Sequence, residues 1–173
     1  MRKAGGRRPV GRRRPRCRLI LLFWSNVRMT RLRIRRTARV IVVDQNGAVL
    51  LVRYDGPSGA ASYWVPPGGG IEPGEEARDA AARELREETG LVAEIGRVLW
   101  TCTSEFQTPA GTVRQRETFY WVALDSVTPT VFNNSSEEIR EHRWWRVDEL
   151  LASEETIYPL ELRDRLRALF ERA

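Results

Sequence analysis

The chain has 173 residues, enough for one domain of roughly 130 to 150 residues with extensions. Hydrophobic residues make up 42% and aromatics 9%, which excludes the apolar-poor composition of a disordered chain. The longest uncharged apolar run, Leu19 to Trp24, is far shorter than the roughly 18 to 20 residues that cross a bilayer as a helix, and a membrane partner is not expected.

The net charge of +6 averages two unlike pieces. Residues 1–36 carry thirteen Arg, Lys3 and no acid, a charge of +14, whereas residues 37–173 carry fifteen Arg against twenty-three acids, a charge of −8. The arm has the charge of a nucleic-acid or anionic-surface binder, and the body repels free polyphosphate unless cations intervene. Cys17 and Cys102 with one His supply neither a disulfide framework nor a zinc site, which is simplest in a reducing cytoplasm.

Along the chain, residues 1–18 interleave Arg with Gly and Pro and have no period, so they read as disordered. The run Leu19 to Trp24 imitates a secretory signal but is too short and lacks a cleavage site. Met29 is favoured as the physiological start, which divides the chain into a basic arm, 1–28, and a folded domain, 29–173. The competing reading of the arm is a weak nucleic-acid contact through residues 1–36.

Ala38 to Val43 and Ala48 to Arg53 are β-branched runs joined by a turn ending in Asn46-Gly47, which predicts an antiparallel pair. Tyr63-Trp64-Val65 then leads into Pro66-Pro67-Gly68-Gly69-Gly70, read as a loop with exposed backbone because Pro removes donors and Gly adds freedom. Glu75 to Thr89 is predicted as the main helix, with Gly90 as its C-terminal glycine. Val92 to Thr103, Thr118 to Leu124 and Arg140 to Arg146 are predicted as strands, and Val147 to Leu151 and Pro159 to Phe170 as helices. The whole is a mixed α/β domain.

On the main helix, Glu84, Glu87 and Glu88 share the face of Ala77, Ala81 and Leu85, whereas Arg83 falls on the solvated side with Asp79. Small residues mark close approach to a sheet, so these carboxylates are partly desolvated and repel one another. The body has no Lys, and the nearby arginines fall on other faces; a hard divalent cation, Mg²⁺ or Mn²⁺, is the expected compensation. For an isolated E-x-x-E-E a solvated surface helix is the commoner explanation. The upstream glycines shift the balance, because their carbonyls and amides can meet a metal and a phosphate.

From Gly69 through Glu75 to Arg83-Glu84-Leu85-Arg86-Glu87-Glu88-Thr89-Gly90-Leu91 the residues match every fixed position of G-x5-E-x7-R-E-U-x-E-E-x-G-U, the Nudix box. The approach from Trp64 to Gly69 and the strand Glu141 to Trp145 also resemble that family, over about residues 36–171. The resemblance implies an α/β/α sandwich with a mixed sheet, the box forming loop-helix-loop. It implies hydrolysis of a nucleoside diphosphate linked to another moiety. It further implies metal binding by Glu84, Glu87 and Glu88 with a backbone carbonyl from Gly68 or Gly69, and roles for Glu75 and Arg83 in fixing helix and loop.

Gly68, Gly69, Gly70, Trp64 and Phe106 are the candidate substrate contacts, with Tyr63 and Phe132 weaker ones. Glu84 leads as general base, with Glu105, Glu117, Glu137, Glu138 and Glu141 as alternatives. His142 is read as a structural or surface residue, one of Trp144 and Trp145 as core, and Cys102 as a small buried hydrophobe. The competing functions are a non-hydrolytic nucleotide-derivative sensor on the same fold, and an isoprenyl diphosphate isomerase in which Cys102 has no convincing place. Substrate choice is expected in the loops Tyr54 to Tyr63, Thr103 to Val113 and Thr128 to Glu138, and a homodimer leaves no mark in one sequence.

Overall fold

A computed structural model describes residues 33–56, 59–108, 110–126, 129–133 and 138–171. The basic arm and the Met29 start lie outside the described residues, apart from Arg33 to Arg36, which are exposed at the beginning of the first strand.

The strands are β1 (Arg33–Val43), β2 (Val49–Tyr54), β3 (Tyr63–Val65), β4 (Gly68–Gly70), β5 (Val98–Thr108), β6 (Gly111–Ala123) and β7 (Ile139–Trp145). The helices are α1 (Ala77–Thr89), α2 (Val147–Ala152) and α3 (Leu162–Phe170). The expected hairpin forms: Asp44 Oδ1 accepts the N–H groups of Asn46 and Ala48, and Gly47 takes the positive φ that the turn needs. β1 and β2 meet at Val43 and Val49 and then part. The opening between them is filled by Tyr63 to Gly70, with β3 pairing β2 and β4 pairing β1, both antiparallel. On the other side of β1 lies β6, parallel over the full length of β1, followed by β5; β7 pairs the far side of β2.

Two layers of side chains follow from strand alternation. Ala38, Val40, Val42 and Leu50 face α1 through Ala80, Ala81 and Leu85. Ile41, Val43, Val49 and Leu51 face α2 and α3 through Leu150, Leu162 and Leu166. The architecture is the expected α/β/α sandwich on a mixed sheet.

Several local expectations are corrected. Gly68–Gly70 is strand rather than exposed loop, and Gly68 and Gly69 are buried. A Cβ on Gly68 would lie 2.2 Å from the Ala38 carbonyl oxygen at φ +139°; here glycine permits close strand approach rather than loop freedom. Val92 to Arg97 is not strand, and Val92 is exposed. Thr103 to Val113, expected as a loop, continues the β5–β6 hairpin up to Thr108 and Gly111. The last helix begins at Leu162 instead of Pro159, and α1 at Ala77 instead of Glu75.

Trp64 is 1% exposed, edge-on to Trp145, with its indole N–H donated to Glu155. It is core and presents no face to a substrate. Trp64→Ala is therefore expected to lower unfolding free energy by about 3 to 5 kcal/mol, read by denaturant titration; a loss below about 1 kcal/mol would place the ring outside the core.

Candidate active site

The C-terminal half of α1 is laid across β4 because Ala80 and Ala81 let the helix approach β1. Gly90 ends it in the left-handed conformation, its N–H donating to the Arg86 carbonyl. This placement carries Glu88 into the protein, 1% exposed. The Gly68 N–H donates to Glu88 Oε2 at 2.7 Å and the Tyr54 hydroxyl donates to Oε1 at 2.5 Å. His142 donates from Nε2 to the Glu88 carbonyl oxygen at 2.6 Å, the structural use expected of the lone His. Glu84 is also buried, its carboxylate lying so close over Gly69 that a Cβ there would be 2.5 Å from Oε1.

Arg83 corrects the helix-face reading. Its guanidinium does not turn to Asp79: Nε and Nη2 donate to the two carboxylate oxygens of Glu75 at 2.9 and 3.0 Å, Nη1 to Glu84 at 2.8 Å and Glu87 at 3.2 Å, and Nη2 to the Gly70 carbonyl at 3.0 Å. A long side chain reaches well past the direction of its Cβ. The same hydrogen bonds hold the Glu75 carboxyl below its ordinary range and push the Arg83 pKa up. In Glu88 burial dominates and raises the carboxyl to about 7, with Glu84 adding to the rise and Tyr54, Gly68 and Arg39 opposing it.

Arg39, absent from the sequence candidates, joins this centre to a cavity. Its Nε donates to Glu117 Oε1 at 2.7 Å, and its Nη1 donates to the carbonyls of Pro66 and Gly68 at 2.9 and 3.1 Å. The Gly68 carbonyl expected at a metal is thus turned to an arginine. A charged residue inside the apolar run Ala38 to Val43 was the available signal. The cavity, about 620 Å³, is lined by Arg39, Glu117, Phe106, Tyr63, Tyr158 and Glu161 among others. Phe106 and Tyr63 therefore line this cavity, whereas Phe132 packs against Gly90 at the end of α1.

Of the alternative acids, Glu105 pairs with Arg114, Glu141 with Arg53 and Glu138 with Arg140, all toward solvent; Glu137 lies outside the described residues. Glu117 alone of these is both buried and on the cavity wall. Cys102 is half-buried rather than fully enclosed; burial first, then Glu117 and Glu161, push its thiol up to about 12.

The donor set fits a hard divalent cation in kind: Glu84, Glu87 and Glu88 offer carboxylate oxygens within one turn of helix, and burial beside Glu84 leaves Glu88 unfavourable as an anion by itself. The arrangement does not yet gather them. Among the described residues no three His, Cys, Asp or Glu side chains converge on a point suited to a metal, because Arg83 holds Glu84 and Glu87.

This is the sheet, helix and acid layout of the Nudix hydrolases, and the comparisons agree. The family model described as NUDIX domain matches residues 33–166, and the chain belongs to that family. The "Nucleoside triphosphatase NudI" of Escherichia coli O1:K1 / APEC is 30% identical over 123 residues, 68% of this chain and 86% of that protein. Among solved structures, the E. coli dihydroneopterin triphosphate pyrophosphohydrolase superposes with a TM-score of 0.63 at 21% identity, covering 80% of this chain and 96% of that one. The MutT protein from Methanosarcina mazei Go1 does so with a TM-score of 0.60 at 23% identity, covering 81% and 95%. The protein is a hydrolase of a family that acts on nucleotide substrates and generally uses divalent metals. No helix among the described residues is long and apolar enough to cross a membrane.

The Glu88 carboxyl titrates near 4.5 when unfolded and near 7 when folded. Between these values the folded state holds the extra proton, so its stabilising contribution is complete below about pH 4.5 and lost as pH rises through about 7. The metal-free protein should lose stability between about pH 5 and 8, read as a falling denaturation midpoint. Glu88→Gln should flatten that fall; an unchanged slope would place the titration elsewhere.

Proposed function

We propose that the protein is a Mg²⁺-dependent pyrophosphohydrolase that cleaves a nucleoside diphosphate linked to another moiety, nucleoside triphosphates included. The observation that carries this reading is the inward packing of Glu84 and Glu88 against the Gly68–Gly70 strand, beside an open cavity walled by aromatic rings. The name of the NudI relative supports a triphosphate.

Glu84, Glu87 and Glu88 would hold Mg²⁺ or Mn²⁺, which when bound neutralises phosphate charge and activates a water. Glu75 grips both Nε and Nη2 of Arg83, so the guanidinium would stay on the box loop if Glu84 and Glu87 held a metal in its place. Arg83 then keeps the Gly70 carbonyl fixed. Gly68 positions Glu88 through its N–H, and Gly69 leaves the space that the Glu84 carboxylate fills. Glu84 orients the attacking water and takes its proton. The nucleoside lies in the cavity, where Phe106 and Tyr63 offer ring faces.

Two alternatives receive less support. A binding module without hydrolysis gains nothing from a complete acid set. An isomerase needs a reactive thiol, and Cys102 is held protonated well above neutral pH.

Glu84→Gln is expected to lower kcat on the order of 10²-fold or more with a modest change in KM. Phosphate or pyrophosphate release from a panel of nucleotides with Mg²⁺ measures it, and near-normal turnover would remove Glu84 from the reaction.

A further inference from the structure

The cavity beside the box has a polarity of its own. Its floor is one face of three adjacent strands: Arg35 and Arg39 on β1, Gln115 and Glu117 on β6, Ser104 on β5. Thr37, between the two arginines and in register with Glu117, belongs to the same strand face. It is 1% exposed, and its hydroxyl has no hydrogen-bond partner among the described residues. Across from this floor, Glu161 enters from the turn before α3. Tyr158 enters from the segment that β3 anchors through the Tyr158 N–H to Trp64 carbonyl bond. Tyr63 and Tyr158 meet edge to face at 5.5 Å, and Phe106 is 41% exposed at the opposite end.

Glu105 also lines the space but is taken by Arg114, which leaves Glu117 and Glu161 as the two carboxylates facing the aromatic walls. An ionised carboxylate only accepts hydrogen bonds. Glu117 Oε1 is taken by Arg39 at 2.7 Å, but among the described residues Oε2 has only the Cys102 thiol at 3.8 Å. Arg35 and Arg39 balance the two acids in charge, so the space suits a neutral plane rich in N–H donors more than a cation.

We infer that this cavity selects a nucleobase by an amino-bearing edge, with Glu117 and Glu161 as the accepting groups, so that cytosine and guanine nucleotides are favoured over uracil and hypoxanthine ones. The inference rests on the hydrolase reading above and names the substrate class of the same site. In uracil an oxo group replaces the amino group and sets acceptor against acceptor; in hypoxanthine a hydrogen atom replaces it; either change leaves a desolvated carboxylate unmatched. Sites built around such a hydrogen bond reject the mismatched ligand by about tenfold or more. Glu117 and Glu161 act here as specificity residues at the base, away from the reacting phosphorus.

The test compares kcat/KM for CTP against UTP and for GTP against ITP, pairs in which the second member lacks the amino group of the first. It is run on the wild-type protein and on Glu117→Gln and Glu161→Gln. Binding of CMP and UMP to metal-free protein, followed by quenching of aromatic fluorescence, reads the cavity without the chemistry. The amino-bearing member of at least one pair should be preferred by about tenfold or more, and CMP should bind more tightly than UMP. Each Gln variant should bring the preferred ratio toward unity, because a carboxamide can donate to the uracil oxo group and makes a weaker, neutral hydrogen bond to the guanine amino group than a carboxylate does. A structural role alone would lower both members of a pair together and leave the ratio unmoved.

Ratios within about twofold for both pairs in the wild type, or ratios unchanged in both variants, overturn the inference. Hydrolysis of all four nucleotides at similar efficiency would do so while leaving the hydrolase reading intact. Absence of release from any nucleotide would remove the hydrolase reading, and the CMP to UMP binding ratio would still decide what the cavity prefers. Glu161 is only half-buried and has no ion pair among the described residues, so its variant serves if Glu117→Gln, which weakens the hold on Arg39, fails to fold.

Discussion

The burial of Glu88 under the end of α1 is the constraint from which the rest of the site follows. A carboxyl that is 1% exposed must find hydrogen bonds or forfeit its charge. It finds them on two elements that are remote in sequence, the Gly68 N–H of β4 and the hydroxyl of Tyr54 at the end of β2. Those donors are available only because β1 and β2 separate after Val43 and Val49, opening a wedge that the segment Tyr63 to Gly70 enters. Close approach of Gly68 to the Ala38 carbonyl then requires that the residue have no side chain. The helix, the wedge and the glycine strand are therefore one device for carrying Glu84 and Glu88 inward against β4.

Arg83 shows how the protein tolerates those acids. Five oxygens around one guanidinium, from the four residues Glu75, Glu84, Glu87 and Gly70, turn a repulsive cluster into a connected one. The pairing with Glu75 uses two parallel hydrogen bonds, while Glu84 and Glu87 share a single nitrogen. The stronger grip is on Glu75, and the weaker ones are on Glu84 and Glu87, two of the three acids proposed to hold the metal. Two acids can thus exchange an arginine for a cation without uncoupling the loop from the helix. Glu88 is outside this arrangement, which is why burial rather than an arginine determines its protonation.

The sequence made the helix, its capping glycine and the inward acids legible, because a 3.6-residue period and small residues at contact positions are local signals. The glycine strand was not legible: Pro66 to Gly70 has no β-forming residue, and its strand character comes from partners about 30 residues upstream in β1. Arg83 was misplaced because a helix projection follows Cβ directions, whereas a guanidinium several bonds further out can fold around the helix. Trp64 looked like a ligand platform from its place beside the box, yet the decisive contact is with Trp145, 81 positions downstream. The β5–β6 hairpin was hidden by its polarity. Thr103, Ser104, Glu105 and the facing Arg114 and Arg116 read as loop because the outer half of the hairpin has no full apolar face.

Arg39 finally explains how recognition and chemistry can be separate yet joined. It lies on the strand face that floors the cavity, and its guanidinium divides its donors between Glu117 on one side and the Pro66 and Gly68 carbonyls on the other. The residue that accepts from Arg39 at Gly68 is the same one whose N–H fixes Glu88. A rigid hydrogen-bonded path therefore runs from the cavity wall to the acid centre without passing through a flexible loop. Side chains on the cavity wall can change with the ligand, since Tyr63, Phe106 and Glu161 make no direct bond to the box acids. Arg39, Gly68 and Glu88 cannot change separately, because each satisfies a buried polar group of the next.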